Sequence, residues 1–135
     1  ARPAGAPIGA TRRVHAGGST LSVTIGAVLA LPGNAAALPP GTRPVGVALT
    51  IHNDAGATYD STASGDVSLT TSAGPAAPLY VRRGRCETPL TDFESLIGAG
   101  ETRSGCVGFS VRRGARILSV RFSPHSRAPG SVAWR

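Results

Sequence analysis

The sequence predicts an all-β protein, an antiparallel β-sandwich of about seven or eight short strands. Three observations carry that prediction. Apolar and polar residues alternate along several short segments, as they do in a strand with one buried face. Turn-forming Gly, Pro and Asn residues punctuate those segments at short intervals. Helical spacing occurs in one place and stops within a turn or two, so the strands have no helical layer to cover them and must pack on each other.

Taken in order, residues 1–7, "ARPAGAP", form an expected mobile arm ahead of a single domain spanning 8–135. "IGATRRV" adds a short edge strand that ends at the Gly17-Gly18 turn. In "STLSVTIGAVLAL" Leu21, Val23 and Ile25 point one way, Ser22 and Thr24 the other. "PGNAAALPPG" is a loop, because Pro39-Pro40-Gly41 supports neither helix nor ladder. The second long strand, "RPVGVALTIHN", puts Val45, Val47, Leu49 and Ile51 on one face. Its other face carries Gly46, Ala48 and Thr50, small enough for a neighbour to approach closely. Asn53 and Asp54 suit a turn, where their side chains bond nearby backbone groups. "DVSLTTS" and "LYVRR" are short strands around the break at "GPAAP". Leu90, Phe93, Leu96 and Ile97 fall near helical spacing behind a capping pattern, Thr91-Asp92-Phe93-Glu94. Gly98 and Gly100 limit this to one or two turns, and a plain connecting loop is the alternative. A closing hairpin follows, with Val107, Phe109 and Val111 inward, "RRGA" as the turn, and Leu118, Val120 and Phe122 inward again. "SVAWR" supplies a last strand through Val132 and Trp134.

The totals narrow the function. At 135 residues the chain fits one domain. It has no run of eighteen apolar residues to span a membrane as a helix. Because the sequence starts at Ala1, any export signal or lipid anchor is expected upstream of it. The net charge of +7 creates a field that attracts polyanions. All fourteen cations are arginine, in a chain crowded with Ala, Gly and Pro, a pattern that G+C-rich coding produces as readily as selection for a partner. Nucleic-acid modules add aromatic stacking surfaces or a recognition helix. Six aromatic residues that do not interleave with the arginines argue against that class. Cys86 and Cys106 can pair within the chain only with each other. In an oxidising compartment their disulfide closes a loop of about 20 residues and contributes roughly 3 kcal/mol. In a reducing one they are two buried thiols.

Three segments resemble a known family. They are "GGSTLSVTIGAV", "PPGTRPVGVALTIHNDAGATYDSTASGDVSLTTSAG" and "LIGAGETRSGCVGFSVRRGARILSVRFSP". Their order is similar to that of small immunoglobulin-like domains of actinobacterial and other Gram-positive secreted proteins and lipoproteins, among them secreted immunogenic mycobacterial proteins. The likeness covers residues 8–134 and implies an immunoglobulin-like sandwich exported from the cell, with no catalytic activity or functional residues to carry over. The hairpin turn departs from the Pro-Gly or Lys-Gly common in relatives: here it is Arg112-Arg113-Gly114. The antibody hallmarks are missing too, since Ser104 stands two before Cys106 and no Trp lies between the cysteines. A Cys86–Cys106 bond is therefore expected to staple a loop to a strand start rather than to pin two sheets.

Catalytic readings find little support. "SGCVG" echoes a nucleophile elbow, but an elbow needs a strand-to-helix turn, and the residues after Cys106 alternate as a strand. His15, His52 and His125 show no metal-ligand spacing. A carboxylate-assisted His52–Asp pair is a second reading to turn chemistry. Copper chemistry lacks methionine ligands. Asp54, Asp60 and Asp66 lack the dense loop that calcium needs. No enzyme activity, cofactor or metal is expected. What remains is recognition: Arg82, Arg83 and Arg85 follow one strand, and Arg112, Arg113 and Arg116 crowd the last turn. Should the two groups meet, six guanidiniums make a basic rim able to pair with carboxylates or phosphates. Separately solvated, the same arginines would merely protect strand edges. The expected role is a non-enzymatic module that docks onto another secreted or envelope protein. The alternative is a binder of anionic polymer, lipid headgroup or acidic glycan.

Overall fold

Alternation along the chain decides which face of each strand meets the core, and the strands follow it closely. The computed structural model describes residues 6–31, 38–60, 66–79, 96–124 and 131–135. Among these, eleven strands run in order: β1 (Thr11–Ala16), β2 (Ser19–Ala30), β3 (Thr42–Gly56), β4 (Tyr59–Asp60), β5 (Val67–Thr71), β6 (Gly74–Pro75), β7 (Ala77–Leu79), β8 (Leu96–Ile97), β9 (Thr102–Arg112), β10 (Ile117–Phe122) and β11 (Val132–Trp134). They form an antiparallel β-sandwich of immunoglobulin-like type. One sheet has the order β1-β2-β3-β9-β7, the other β11-β10-β5-β6, and β4 pairs β8 separately. The strand count exceeds the expected seven or eight because β4, β6, β7 and β8 are only two or three residues long.

The larger sheet supplies Leu21, Val23, Ile25, Val45, Val47, Leu49, Ile51, Val107, Phe109 and Val111 to the core. The smaller sheet answers with Val67, Leu69, Val120, Phe122 and Trp134. Tyr59 closes the far end, its ring 6.3 Å from that of Phe122 at a 40° tilt. Its hydroxyl donates to the buried Asp66 carboxylate. Each aromatic thus fills space between layers, the largest single contribution to burial in such a core.

Several expectations need correction. Residues 6 and 7 do not belong to a mobile arm: Ala6 bridges Trp134 in parallel, and its N–H donates to Ala133 O at 3.0 Å. Ile8 N–H likewise donates to Arg135 O. This segment ties the smaller sheet to β1, and Arg12 Nη1 reinforces the tie by donating to Ala133 O at 3.4 Å. Leu96 and Ile97 are strand rather than helix, because Tyr59 and Asp60 offer them a ladder. The remainder of the expected helical turn, residues 90–95, lies outside the described residues. Leu118 does not face the core. The pairing of β10 with β5 shifts between Ile117 and Ser119, and this bulge turns Leu118 outward to 38% exposure while Ile117 packs on the core.

Candidate functional site: the arginine end of the sandwich

The site starts from alternation. β9 delivers Val107, Phe109 and Val111 inward, so Arg112, the next residue, emerges at the rim. Gly114, at φ +82°, allows the chain to reverse there. Arg112, Arg113 and Arg116 are all exposed. The turn carrying them is fastened to both sheets. Arg113 N–H donates to Gly41 O at 2.9 Å, beside the start of β3. Arg116 N–H donates to Ser72 Oγ at 2.8 Å, and Ser72 N–H donates back to Arg116 O at 2.8 Å.

Sequence reasoning missed a fourth guanidinium here. Arg43 sits on the core-facing row of β3, two residues before Val45, where the sandwich opens to solvent. It reaches across that opening, and its Nη2 donates to Ala115 O at 3.2 Å. The signal was present, since the row Val45, Val47, Leu49, Ile51 extends back to Arg43. Next to these arginines lies an open cleft of about 470 Å³, bounded by Pro39, Pro40, Pro75, Ala76, Ser110 and Arg112. The chain crosses from the smaller sheet to the larger one at this corner, through β6 and β7.

None of the four arginines at this end meets a carboxylate among the described residues. The registers explain why. Arg112 is opposite Thr42 at one end of the β3–β9 pair, whereas His52 is opposite Thr102 at the other. Asp54 and Glu101 flank that second end, and Asp60 and Asp66 lie on elements that pack there. Ten residue steps at about 3.3 Å each separate the two ends by roughly 33 Å. Arg82, Arg83 and Arg85, the other half of the expected six-guanidinium rim, lie outside the described residues; among the described ones Arg43, Arg112, Arg113 and Arg116 share this end.

A second polar group sits on the solvent face of the larger sheet. His52 Nδ1 and Thr102 Oγ1 are 2.7 Å apart, and His52 Nε2 is 3.7 Å from Asp54 Oδ1. Ser22 Oγ donates to Asp54 Oδ2 at 2.6 Å, and Arg13 Nε approaches it at 3.7 Å. The order Thr102–His52–Asp54 imitates a nucleophile, base and acid. It lies on an open strand face, however, with the His52 side chain 41% exposed, so water reaches the imidazole freely. Turn chemistry accounts for Asn53 only. Its Nδ2 donates to Ala57 O and to Ile97 O, both at 2.9 Å. Asp54 instead bonds across strands, because β3 continues to Gly56 and places Asp54 on the same face as His52. His15 is exposed on β1, and His125 lies outside the described residues. No group of three or more metal-ligating side chains occurs among the described residues.

Cys106 is buried inside β9, opposite Ala48, rather than at a strand start. Its neighbours on both sides are strand residues, which removes the elbow geometry. No described cysteine is free, and Cys86 lies outside the described residues.

Two solved structures share this fold. The secreted protein MPT63 of Mycobacterium tuberculosis aligns over 100% of this chain and 98% of its own, at 17% identity and a TM-score of 0.65. The candidate lipoprotein YcdA of Bacillus subtilis aligns over 92% of this chain at 18% identity and a TM-score of 0.60. In that second case the match spans 37% of YcdA's own length. At such identities the likeness is one of fold. No protein-family model matches the chain, and no curated protein matches it in sequence.

Proposed function

We propose that the protein is a non-enzymatic binding module of the extracellular space or cell envelope, related to secreted actinobacterial immunoglobulin-like domains. It docks onto an acidic surface of another secreted or envelope protein through its arginine end. One observation carries the reading: four guanidiniums share one end of the sandwich, three around a turn fixed to both sheets and Arg43 on β3, with no carboxylate within ion-pair distance of them among the described residues. Unpaired arginines held on a rigid element lose little freedom on meeting a carboxylate, and their planar forks bind it bidentately. Export is supported by the two fold neighbours, one a secreted protein and the other a candidate lipoprotein. In that compartment Cys86 and Cys106 pair. Peptide mapping by mass spectrometry with and without reductant tests the bond, and two alkylated cysteines in the unreduced protein would disprove it.

The test of function is a pull-down from envelope and culture fractions with the wild type and with Arg112→Glu/Arg113→Glu/Arg116→Glu. A discrete protein captured by the wild type and lost by the variant is the expected result. Equal capture by both refutes the role of this end. The second reading, an anionic polymer, lipid headgroup or acidic glycan, rests on the same unpaired arginines. Its capture would weaken steeply with salt, because it has no apolar contact to hold it once the charges are screened.

A further inference from the structure

We infer that the cleft beside Arg112 is the pocket that takes the partner, and that its occupant is an extended acidic segment of that protein with small apolar residues flanking the carboxylate. The inference rests on the docking role proposed above and adds the ligand class and the mode of binding. Three observations lead to it. First, the walls are Pro39, Pro40, Pro75 and Ala76, whereas the arginine side chain on the border is Arg112. A volume of about 470 Å³ lies within the roughly 300–1,000 Å³ of pockets that enclose a few side chains. Second, the hydroxyls of Thr42 and Thr71 are already engaged, donating to Pro39 O at 2.7 Å and Gly74 O at 2.8 Å. Charge recognition at the cleft therefore falls to Arg112, which takes a carboxylate bidentately while Arg113 and Arg116 meet further acids along the segment. Third, the edge strands bordering the cleft are β6 and β7, and each contains a proline, Pro75 and Pro78. A proline donates no ladder hydrogen bond, so a partner cannot simply add a strand here and must be read through its side chains. None of the described residues lining the cleft is aromatic, so none of them offers the stacking platform by which sugars or bases are usually held.

The probe is a capped peptide of alternating alanine and glutamate, with alanine–glutamine and inorganic polyphosphate as comparators. Binding is followed by amide shifts in two-dimensional NMR of the full chain, alongside the pull-down. The expected result is a set of shifts at Gly41, Thr42, Ala73, Ala76, Ala77 and Arg112, absent with the glutamine peptide. Affinity should fall at least tenfold in Arg112→Ala. It should fall as far in Ala73→Trp, which fills the cleft from an exposed position and leaves the core untouched. Shifts confined to Arg113 and Arg116, with Ala73→Trp binding like the wild type, overturn the cleft while leaving the docking reading intact. So does peptide silence alongside a captured partner that survives the Ala73→Trp change. Polyphosphate binding in place of the peptide overturns the acidic-protein occupant. Silence in NMR together with an empty pull-down overturns both inferences.

Discussion

Trp134→Phe measures how firmly the last strand locks the sandwich. Trp134 is fully buried, pairs with Val120 across β10, and donates from Nε1 to Ala10 O at 2.8 Å. Phenylalanine keeps the hydrophobic body of the side chain and removes the pyrrole edge. The lost apolar area, on the order of 40 Å², is worth about 1 kcal/mol. The indole hydrogen bond contributes about 1 kcal/mol more, and the half-buried carbonyl it leaves behind adds up to roughly 1 kcal/mol. The expected loss is therefore about 2–3 kcal/mol, which at this chain length lowers the melting temperature by on the order of 6–12 °C. Urea unfolding followed by far-ultraviolet circular dichroism gives the value without depending on the indole. In the wild type, the fluorescence of this sole tryptophan provides an independent reading, expected to be blue-shifted and shielded from acrylamide. A loss below about 0.5 kcal/mol would refute the reasoning, because surface substitutions cost no more than that. It would mean that the C-terminal strand is not anchored through Ala10.

Three further outcomes follow from particular contacts. Gly56→Ala should destabilise by more than about 2 kcal/mol, since φ there is +97° and a Cβ would fall 2.0 Å from Gly18 O; Gly114→Ala, at φ +82° with open space around it, should cost about 1 kcal/mol, and equal losses in chemical denaturation would contradict the packing at Gly56. Ile117→Ser should cost about 1–2 kcal/mol while Leu118→Ser stays within about 0.5 kcal/mol, the reverse of what simple alternation predicts, and thermal melts of the pair decide the matter. Arg112→Glu/Arg113→Glu/Arg116→Glu should leave the melting temperature within about 2 °C of the wild type, because no ion pair is lost; a larger drop would show that these side chains hold the fold together.

The long strands were legible in the sequence because burial on one face leaves a period of two that nothing else produces. Leu21, Val23 and Ile25 on β2, and Val45 through Ile51 on β3, face the core as their alternation predicts. The pattern fails where a position depends on a partner strand rather than on its own neighbours. Leu118 is apolar and in phase, yet a one-residue mismatch with β5 turns it out. Leu96 and Ile97 have helical spacing, yet the waiting edge at Tyr59 and Asp60 pairs them as strand. The site follows the same rule. Arg112, Arg113 and Arg116 stood out as a cluster in sequence, whereas Arg43 joins them from a strand sixty-nine positions upstream of Arg112. The contact of His52 with Asp54 was weighed only as a second reading, since two polar residues two apart read as a turn until β3 is known to continue past them.

The distribution of charge reads as a property of the architecture rather than of composition. A sandwich tolerates charge poorly on its inner faces, so arginines collect at turns and strand ends, where their guanidiniums stay hydrated. That would scatter them over both ends. Here the described carboxylates, Asp54, Asp60, Asp66 and Glu101, all lie at the end away from the Arg112 turn. Arg13 and His52 flank Asp54 at that end, and Arg103 approaches Glu101 at 3.9 Å. Among the described residues, Asp54 and Glu101 thus have cationic neighbours, whereas Arg43, Arg112, Arg113 and Arg116 have no carboxylate within ion-pair distance. In the docking role proposed above, such a difference between the described ends would favour approach to a negatively charged surface with the Arg112 turn in front.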